Sequence, residues 1–344
     1  MKILAIETSC DETAVAIIDG QGDKLKVLSN IVSSQIDIHK KYGGVVPEVA
    51  AREHALNIIP VVNEALAEAG IKPEQAKSKL AAVAVTAGPG LITSLIVGVE
   101  TAKALAYAWN LPLVAVNHIA GHIYANWLSN KKLKFPAIIL TVSGGHNLLV
   151  LMTDNLKYKI IGDTRDDAAG EAFDKGAKML NLGYPGGPAI AAAAEKFSGK
   201  VSAKIKFPRP MINSDDFDFS FSGLKTSLLY QLPKDKNWPN RINEYAHEYQ
   251  QAIIDVLVAK TIKAAKKYQA KTVLLAGGVS ANKELRQQMA ETVADKLPGV
   301  AFGLPDLKYT TDNAAMIASA GYFKFKAKQT INPDKLRANP NWEL

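Results

Sequence analysis

The chain has 344 residues, of which 48% are hydrophobic and 22% charged. That is the balance of a soluble globular protein with about two domains' worth of core. Forty-one lysines and arginines against 33 acids leave a net charge of +8. An anionic partner such as RNA, a nucleotide or an acidic protein fits that charge, and so does a plain solvated surface. No apolar run reaches the roughly 18 residues of a membrane span, and the single cysteine, Cys10, excludes an intrachain disulfide. A reducing cytoplasm is the expected compartment.

The opening MKILAIETSC carries no apolar signal segment and runs straight into a strand pattern. Strands are predicted at 3–8, 13–18 and 25–32, then a long helix over about 47–69. A buried strand at 81–86 leads through a GPG turn into a helix at about 91–109, and LVAV at 113–116 runs into a helix beginning NHIAGHIYA. The second half repeats the plan. Strands at 136–143, 148–153 and 157–162 precede helices at about 167–181 and 187–196, a polar insertion at about 198–239, and a long helix at about 240–268. A strand at 272–276, a GG turn, a helix from about 280 and a strand–helix pair near 300–326 complete it. Alternating strands and helices, with an antiparallel hairpin in each half, predict an α/β fold of two duplicated lobes with a ligand cleft between them. The first lobe is expected over 1–132, with the C-terminal helix and tail (about 313–344) packing back on it, and the second over 133–312. The boundary falls in the lysine-rich bend NKKLKF at 130–135, and the closing INPDKLRANPNWEL reads as a loosely packed tail.

Three loops suit phosphate: ETSCDET at 7–13, SGGHN at 143–147 and AGGVSANKELR at 276–286. Glycine permits close approach of backbone N–H groups to an anion, and a helix N-terminus adds partial positive charge. Tight turns need glycine anyway, so each loop alone is weak evidence. Asp11 and Glu12 are acidic and suit a metal or water better than phosphate. Asn282 can hydrogen-bond a ribose or base, or simply cap its turn.

His118 and His122 stand four residues apart, so on a helix they share one face. The glutamate of HExxH is absent, since Ile119 occupies its place. The pair can still chelate a metal with a third ligand from elsewhere, for which Asp312 in TTDNAAMIA is the candidate. The competing readings are a packed pair with no ligand and an Asp312 that caps its helix. His39, His54, His146 and His247 have no partner at ligand spacing and are assigned to surface or turn positions. Asp167, Glu171 and Asp174 share a helical face, aimed at a ligand or paired with Lys175 and Lys178. Basic residues gather at 196–209 and 324–337.

MKILAIETSCDETAVAI, VPEVAAREH, NHIAGHIYA, LTVSGGHNLL, DDAAGEAFDK, YPGGPAI, FSFSGLKT, GGVSANKELR and TDNAAMIA resemble, in order and over nearly the whole chain, the motifs of the bacterial TsaD family. These are the tRNA N6-adenosine threonylcarbamoyltransferases, once called O-sialoglycoprotein endopeptidases. The resemblance implies the actin/Hsp70/sugar-kinase fold. It implies transfer of a threonylcarbamoyl group from threonylcarbamoyl-AMP to N6 of the adenine beside the anticodon, in tRNAs reading codons that start with A. It implies one divalent metal per subunit, iron or zinc, held by His118, His122 and Asp312. Nucleotide contacts are implied at Thr141, Val142, Ser143, Gly144, Gly145, Asp174, Gly187 and Asn282. A TsaB-like paralogous partner and a TsaE-like ATPase are implied as helpers, and the long alanine-rich helix at 47–69 is the expected partner surface. One departure stands out. The family follows its glycine turn with an acid, in a GGPxID pattern, whereas GGPAIA here places Ala191 at that position. Somewhat weaker nucleotide binding is expected.

The expected mechanism is positioning with electrostatic stabilisation, and Asp11 or Glu12 orients the amine or accepts its proton. A metalloprotease would need a general-base carboxylate beside the histidine pair, which HIAGH lacks. A sugar or acetate kinase would turn over without tRNA. A non-catalytic scaffold like the paralogous partner would lack the metal histidines and the second glycine loop, and this chain has both.

Overall fold

Strands β1 (Lys2–Glu7), β2 (Glu12–Gln21) and β3 (Lys24–Ser34) form an antiparallel meander in the computed structural model, which describes residues 1–129 and 133–344. β1 and most of β2 are apolar without alternation because both sheet faces are covered. β4 (Ala82–Gly88) joins the free side of β1 in parallel, and β5 (Leu113–Asn117) joins β4, giving the order β3-β2-β1-β4-β5. Leu4, Ile6, Val83 and Val85 share a core with Ile58, Val61 and Val62 of the long helix Pro47–Glu68 and Val99 and Ala102 of the helix Ile92–Trp109. The opposite face meets the C-terminal helix Ala314–Lys326, where Gly321 stands against Ile3, Ala84 and Val116. This unit comprises Met1–Lys132 and Pro305–Leu344.

The second unit, Leu133–Leu304, repeats the topology. β6 (Ala137–Val142), β7 (Asn147–Asp154) and β8 (Lys157–Gly162) form its meander. β9 (Thr272–Ala276) lies parallel to β6 and β10 (Ala301–Gly303) parallel to β9. Read outward from the meander, the order β8-β7-β6-β9-β10 matches the first sheet strand for strand. Residues 305–312 group with unit 1, eight positions earlier than the return expected from the sequence. The 130–132 part of the expected boundary bend lies outside the described residues.

Three expectations need correction. Residues 198–239 are not simply a polar insertion. Phe207, Phe217, Phe219, Phe221, Leu224 and Leu228 are buried in the unit 2 core, and Ser222–Gln231 is a helix. The Asp166 carboxylate holds the start of that helix, accepting the N–H groups of Phe221 and Ser222 at 2.7 and 3.2 Å. The alternating phenylalanines at 217, 219 and 221 carried the signal. The tail is also not loose. Ile331 donates to the Leu113 carbonyl, Asn339 to that of Ala87, and Leu336 is buried. Finally, His39 and His54 are fully buried rather than on the surface. His54 Nε2 donates to the Cys10 carbonyl at 3.0 Å, so its Nδ1 accepts from Thr13 Oγ1 at 2.7 Å. That neutral tautomer agrees with a pKa lowered by burial and ties the β1–β2 turn to the long helix. No helix among the described residues is long and apolar enough to cross a membrane.

Candidate metal centre and glycine turns

The histidine helix, His118–Tyr124, follows β5 without a loop. Asn117 makes that possible: its side-chain oxygen accepts the N–H groups of Ile119 and Ala120 and caps the helix. Between the histidines, Gly121 lets the C-terminal helix come close, because a Cβ there would meet the Ile317 side chain. Ser319 Oγ then donates to the Tyr124 carbonyl at 2.8 Å and locks the two helices. The C-terminal helix is capped by Asn313, whose Oδ1 accepts the Met316 N–H, so Asp312 is not its cap.

Asp312 faces the histidines instead. One ligand atom from each of His118, His122 and Asp312 falls within 4.8 Å of the others, a group able to hold a metal ion. His118 Nε2 is 3.5 Å and His122 Nε2 3.2 Å from Asp312 Oδ1. His122 is buried, and neither of its ring nitrogens makes a hydrogen bond. Leaving a buried imidazole unsatisfied is costly unless something binds it. Two imidazoles and a carboxylate are also the donor set of many divalent-ion sites. The residues present therefore fit a metal.

Charge around the trio is uneven. Burial disfavours an imidazolium at His118, but Asp312 and Glu7 outweigh it and push His118 up to about 9. Burial, with His118 beside it, keeps His122 below the usual histidine range. Glu7, at the end of β1, went unnoticed in the sequence. It has no solvent exposure, and burial alone would raise its pKa, yet His118 and Ser9 hold it below the usual carboxylate range. The signal was an acid closing an otherwise apolar strand, ILAIE.

Next to this centre, Asp11 and Glu12 are half-buried. Glu12 Oε1 accepts Ser34 Oγ at 2.9 Å, while Oε2 is buried without a hydrogen-bond partner. Burial, reinforced by Asp11 and Asp312, pushes Glu12 up to about 8 against the Ser34 hydrogen bond. Burial and the same two carboxylates also push the Cys10 thiol well up, so it is no thiolate nucleophile.

Unit 2 places the remaining candidates as follows. Thr141 and Val142 are buried in β6, Ser143 is half-buried, and Gly144 and Gly145 are exposed. Ser143 closes the turn, donating its N–H to the His146 carbonyl and accepting the His146 N–H on Oγ. A Cβ on Gly144 or Gly145 would meet nothing, whereas one on Gly170 would run into the Ser143 backbone. Gly170 N–H also donates to the Ser143 carbonyl, so the helix Ala169–Met179 starts against this turn. Asp174 accepts the Gly186 N–H at 2.6 Å, and burial raises its pKa. It does not pair with Lys175, which bridges Asp167 and Glu171; Lys178 is not in that cluster. Gly187 is open on its side-chain side. Asn282 caps the helix Lys283–Lys296 through the Leu285 N–H, and its Nδ2 donates to Gln250 Oε1. Asn282 and Ala191 line one cavity of about 420 Å³ with Phe197, His247 and Gln250. His247 is thus a cavity wall, not a turn residue. Within the basic segment at 196–209, Lys196, Lys200, Lys204 and Lys206 are exposed, but Arg209 is engaged by Glu248 and Asp255.

The family model described as "TsaD: tRNA N6-adenosine threonylcarbamoyltransferase" matches residues 26–319. A protein of that description from Syntrophomonas wolfei is 51% identical over 98% of this chain and 96% of its own length. Another from Dehalococcoides mccartyi is 53% identical over 94% of each chain. Among solved structures, full-length HypF aligns with 94% of this chain and 55% of its own at a TM-score of 0.62 and 12% identity, a likeness of fold alone. With the duplicated sheets, that likeness places the fold in the actin-like class. Sequence over nearly its full length, and not only its architecture, makes this chain a member of the TsaD family, the transferases that place threonylcarbamoyl on N6 of a tRNA adenosine.

Proposed function

We propose that the acyl donor is threonylcarbamoyl-AMP, that the acceptor is the adenine next to the anticodon in tRNAs reading codons that begin with A, and that His118, His122 and Asp312 hold one divalent ion, iron or zinc. The buried, unsatisfied His122 beside Asp312 carries this reading. Bound there, such an ion supplies Lewis-acid polarisation of an acyl oxygen.

The protein's own groups do the rest. The donor is a mixed anhydride, so the N6 amine forms a bond to the acyl carbon while the bond from that carbon to the phosphate oxygen breaks, and AMP leaves with the electron pair. Ser143, Gly144 and Gly145 present open backbone and a hydroxyl to the phosphate, with Asp174, Gly187 and Asn282 on the nucleoside side. Thr141 and Val142 act by holding the turn from the strand. The N6 proton goes to Asp11 or Glu12. Glu12 suits the task better, because its Oε2 has no hydrogen-bond partner and burial, by raising its pKa to about 8, makes its ionised form a stronger base than an ordinary carboxylate.

An anticodon-loop adenine can be splayed out of its stack for such chemistry. The exposed lysines between 196 and 206 would meet tRNA phosphates, so binding weakens as salt rises. Leu56 and Ile59 are exposed on the long helix and suit a TsaB-like paralogue, with a TsaE-like ATPase resetting the complex in the cytoplasm. The test is transfer of labelled threonine to tRNA by the purified enzyme with its partners. His118→Ala and Asp312→Ala should each abolish transfer; full activity in both removes the metal from the mechanism.

A further inference from the structure

Glu7 is a charged side chain with no solvent exposure at the end of an apolar strand. Burying a carboxylate is unfavourable unless donors surround it. Three do. The Ser9 N–H reaches Oε1 at 2.5 Å, Thr86 Oγ1 donates to Oε2 at 2.6 Å, and His118 Nδ1 lies 3.1 Å from the same Oε2. The first two fix the carboxylate from the chain that follows β1 and from β4 respectively. The third is directed at the ring of a proposed ligand.

A carboxylate only accepts, so His118 Nδ1 carries the proton. The neutral ring then has its lone pair on Nε2, the nitrogen that stands 3.5 Å from Asp312. Ser9 Oγ, 3.1 Å from the same Nδ1, fixes no tautomer, since a hydroxyl both donates and accepts. Only Glu7 imposes direction. His122 Nε2 faces Asp312, and its Nδ1 has no carboxylate behind it to play the part of Glu7.

We propose that Glu7 is a positioning residue of the metal centre: it fixes the tautomer and orientation of His118, so that Nε2 is presented to the ion. The inference rests on the metal reading above. Losing a carboxylate that hydrogen-bonds a metal-binding imidazole typically changes metal affinity by about 10- to 100-fold.

The test measures Zn²⁺ affinity of the full chain by competition with a chromophoric chelator, and the His118 tautomer by ¹⁵N NMR of the zinc-loaded protein. Glu7→Gln should weaken Zn²⁺ binding about 10- to 100-fold and erode the Nδ1–H tautomer, while leaving one site per chain. Thr86→Val frees the carboxylate without touching the histidine and should weaken binding in the same direction but by less than Glu7→Gln. Unchanged affinity and tautomer in a folded Glu7→Gln protein overturn the proposal. If Glu7→Gln does not fold, unchanged affinity in Thr86→Val overturns it. Failure of the metal reading looks different: wild-type protein takes up no Zn²⁺, or His118→Ala binds it as tightly as wild type.

Discussion

The β1–β2 turn of unit 1 and the β6–β7 turn of unit 2 occupy the same place in two sheets of identical strand order. Their chemistry is opposite. The first is largely buried, carries Glu7, Asp11 and Glu12, and is anchored by His54 and Thr86. The second has no acid, and its two glycines look onto open space. A duplicated backbone thus yields one turn that stores negative charge beside two histidines and another that offers bare N–H groups. The fold supplied the position twice, and side chains made one copy suit a cation and the other an anion. Each unit can be broken separately, and the responses should differ in kind.

The largest effect belongs to unit 1. His122→Ala removes a proposed ligand, not a support, and should lower Zn²⁺ or Fe²⁺ affinity at least about 100-fold, more than the loss of a residue that only hydrogen-bonds a ligand. Metal content after dialysis measures it. AMP affinity should hardly change, because no proposed nucleotide contact lies in unit 1. A parallel fall in AMP binding would break the division of labour.

Next comes pH. His118 rises from 6.5 to about 9 in the metal-free fold, so its contribution is fully present below pH 6.5 and is lost as pH rises through 9. The metal-free protein should lose on the order of 3 kcal/mol over that window. Apparent metal affinity should move the other way, tightening up to about tenfold per pH unit until His118 deprotonates. Thermal melts with and without Zn²⁺ between pH 6 and 9.5 separate the two. The turn of unit 2, with no acid of its own, should show no such crossing.

These effects rest on features of unequal legibility. The strand order could be read from sequence because both meanders are apolar runs broken at Gly or polar turns, and the helices carry clear periodicity. The histidine pair could be read from its spacing, and Asp312 from the TDNAAMIA motif. Glu7 was harder to read, since the acid that closes the apolar run ILAIE gains its meaning only once its burial is known. His39 and His54 were misplaced for the same reason: hydrogen bonding to Gln35, Thr13 and the Cys10 carbonyl makes a buried histidine tolerable, and those partners come from three separate segments. Phe217, Phe219 and Phe221 were hidden by the aspartates between and before them, which pair with the exposed Arg165 and the buried Lys260.

Glycine substitutions sharpen the comparison within unit 2. Gly170→Ala drives a Cβ into the Ser143 backbone and should destabilise by about 1–3 kcal/mol, the usual range for overpacking. Gly144→Ala meets no atom and should leave stability within about 0.5 kcal/mol. It should still weaken AMP binding several-fold if that open face receives the phosphate. Calorimetry of unfolding and of AMP titration gives both numbers. Equal AMP affinity in Gly144→Ala would mean that the open glycines serve the turn alone.

The smallest expected change is a gain. Ala191 lines the cavity that also holds Asn282 and Gln250, at the position where a TsaD acid is expected. Asn282 already spends its amide on the Leu285 N–H and on Gln250, which limits what it can offer a ribose. Ala191→Asp restores an acceptor on the same wall. One added hydrogen bond contributes about 0.5–1.5 kcal/mol, a gain of roughly two- to tenfold in affinity for AMP. Part of that is offset by Glu195, one helical turn on, where a like charge costs a few tenths of a kcal/mol. Adenosine deoxygenated at both ribose hydroxyls supplies the control: it should gain nothing from the substitution. An equal gain for that analogue would place the new carboxylate on the base instead and make Ala191 a determinant of base contact, not of sugar.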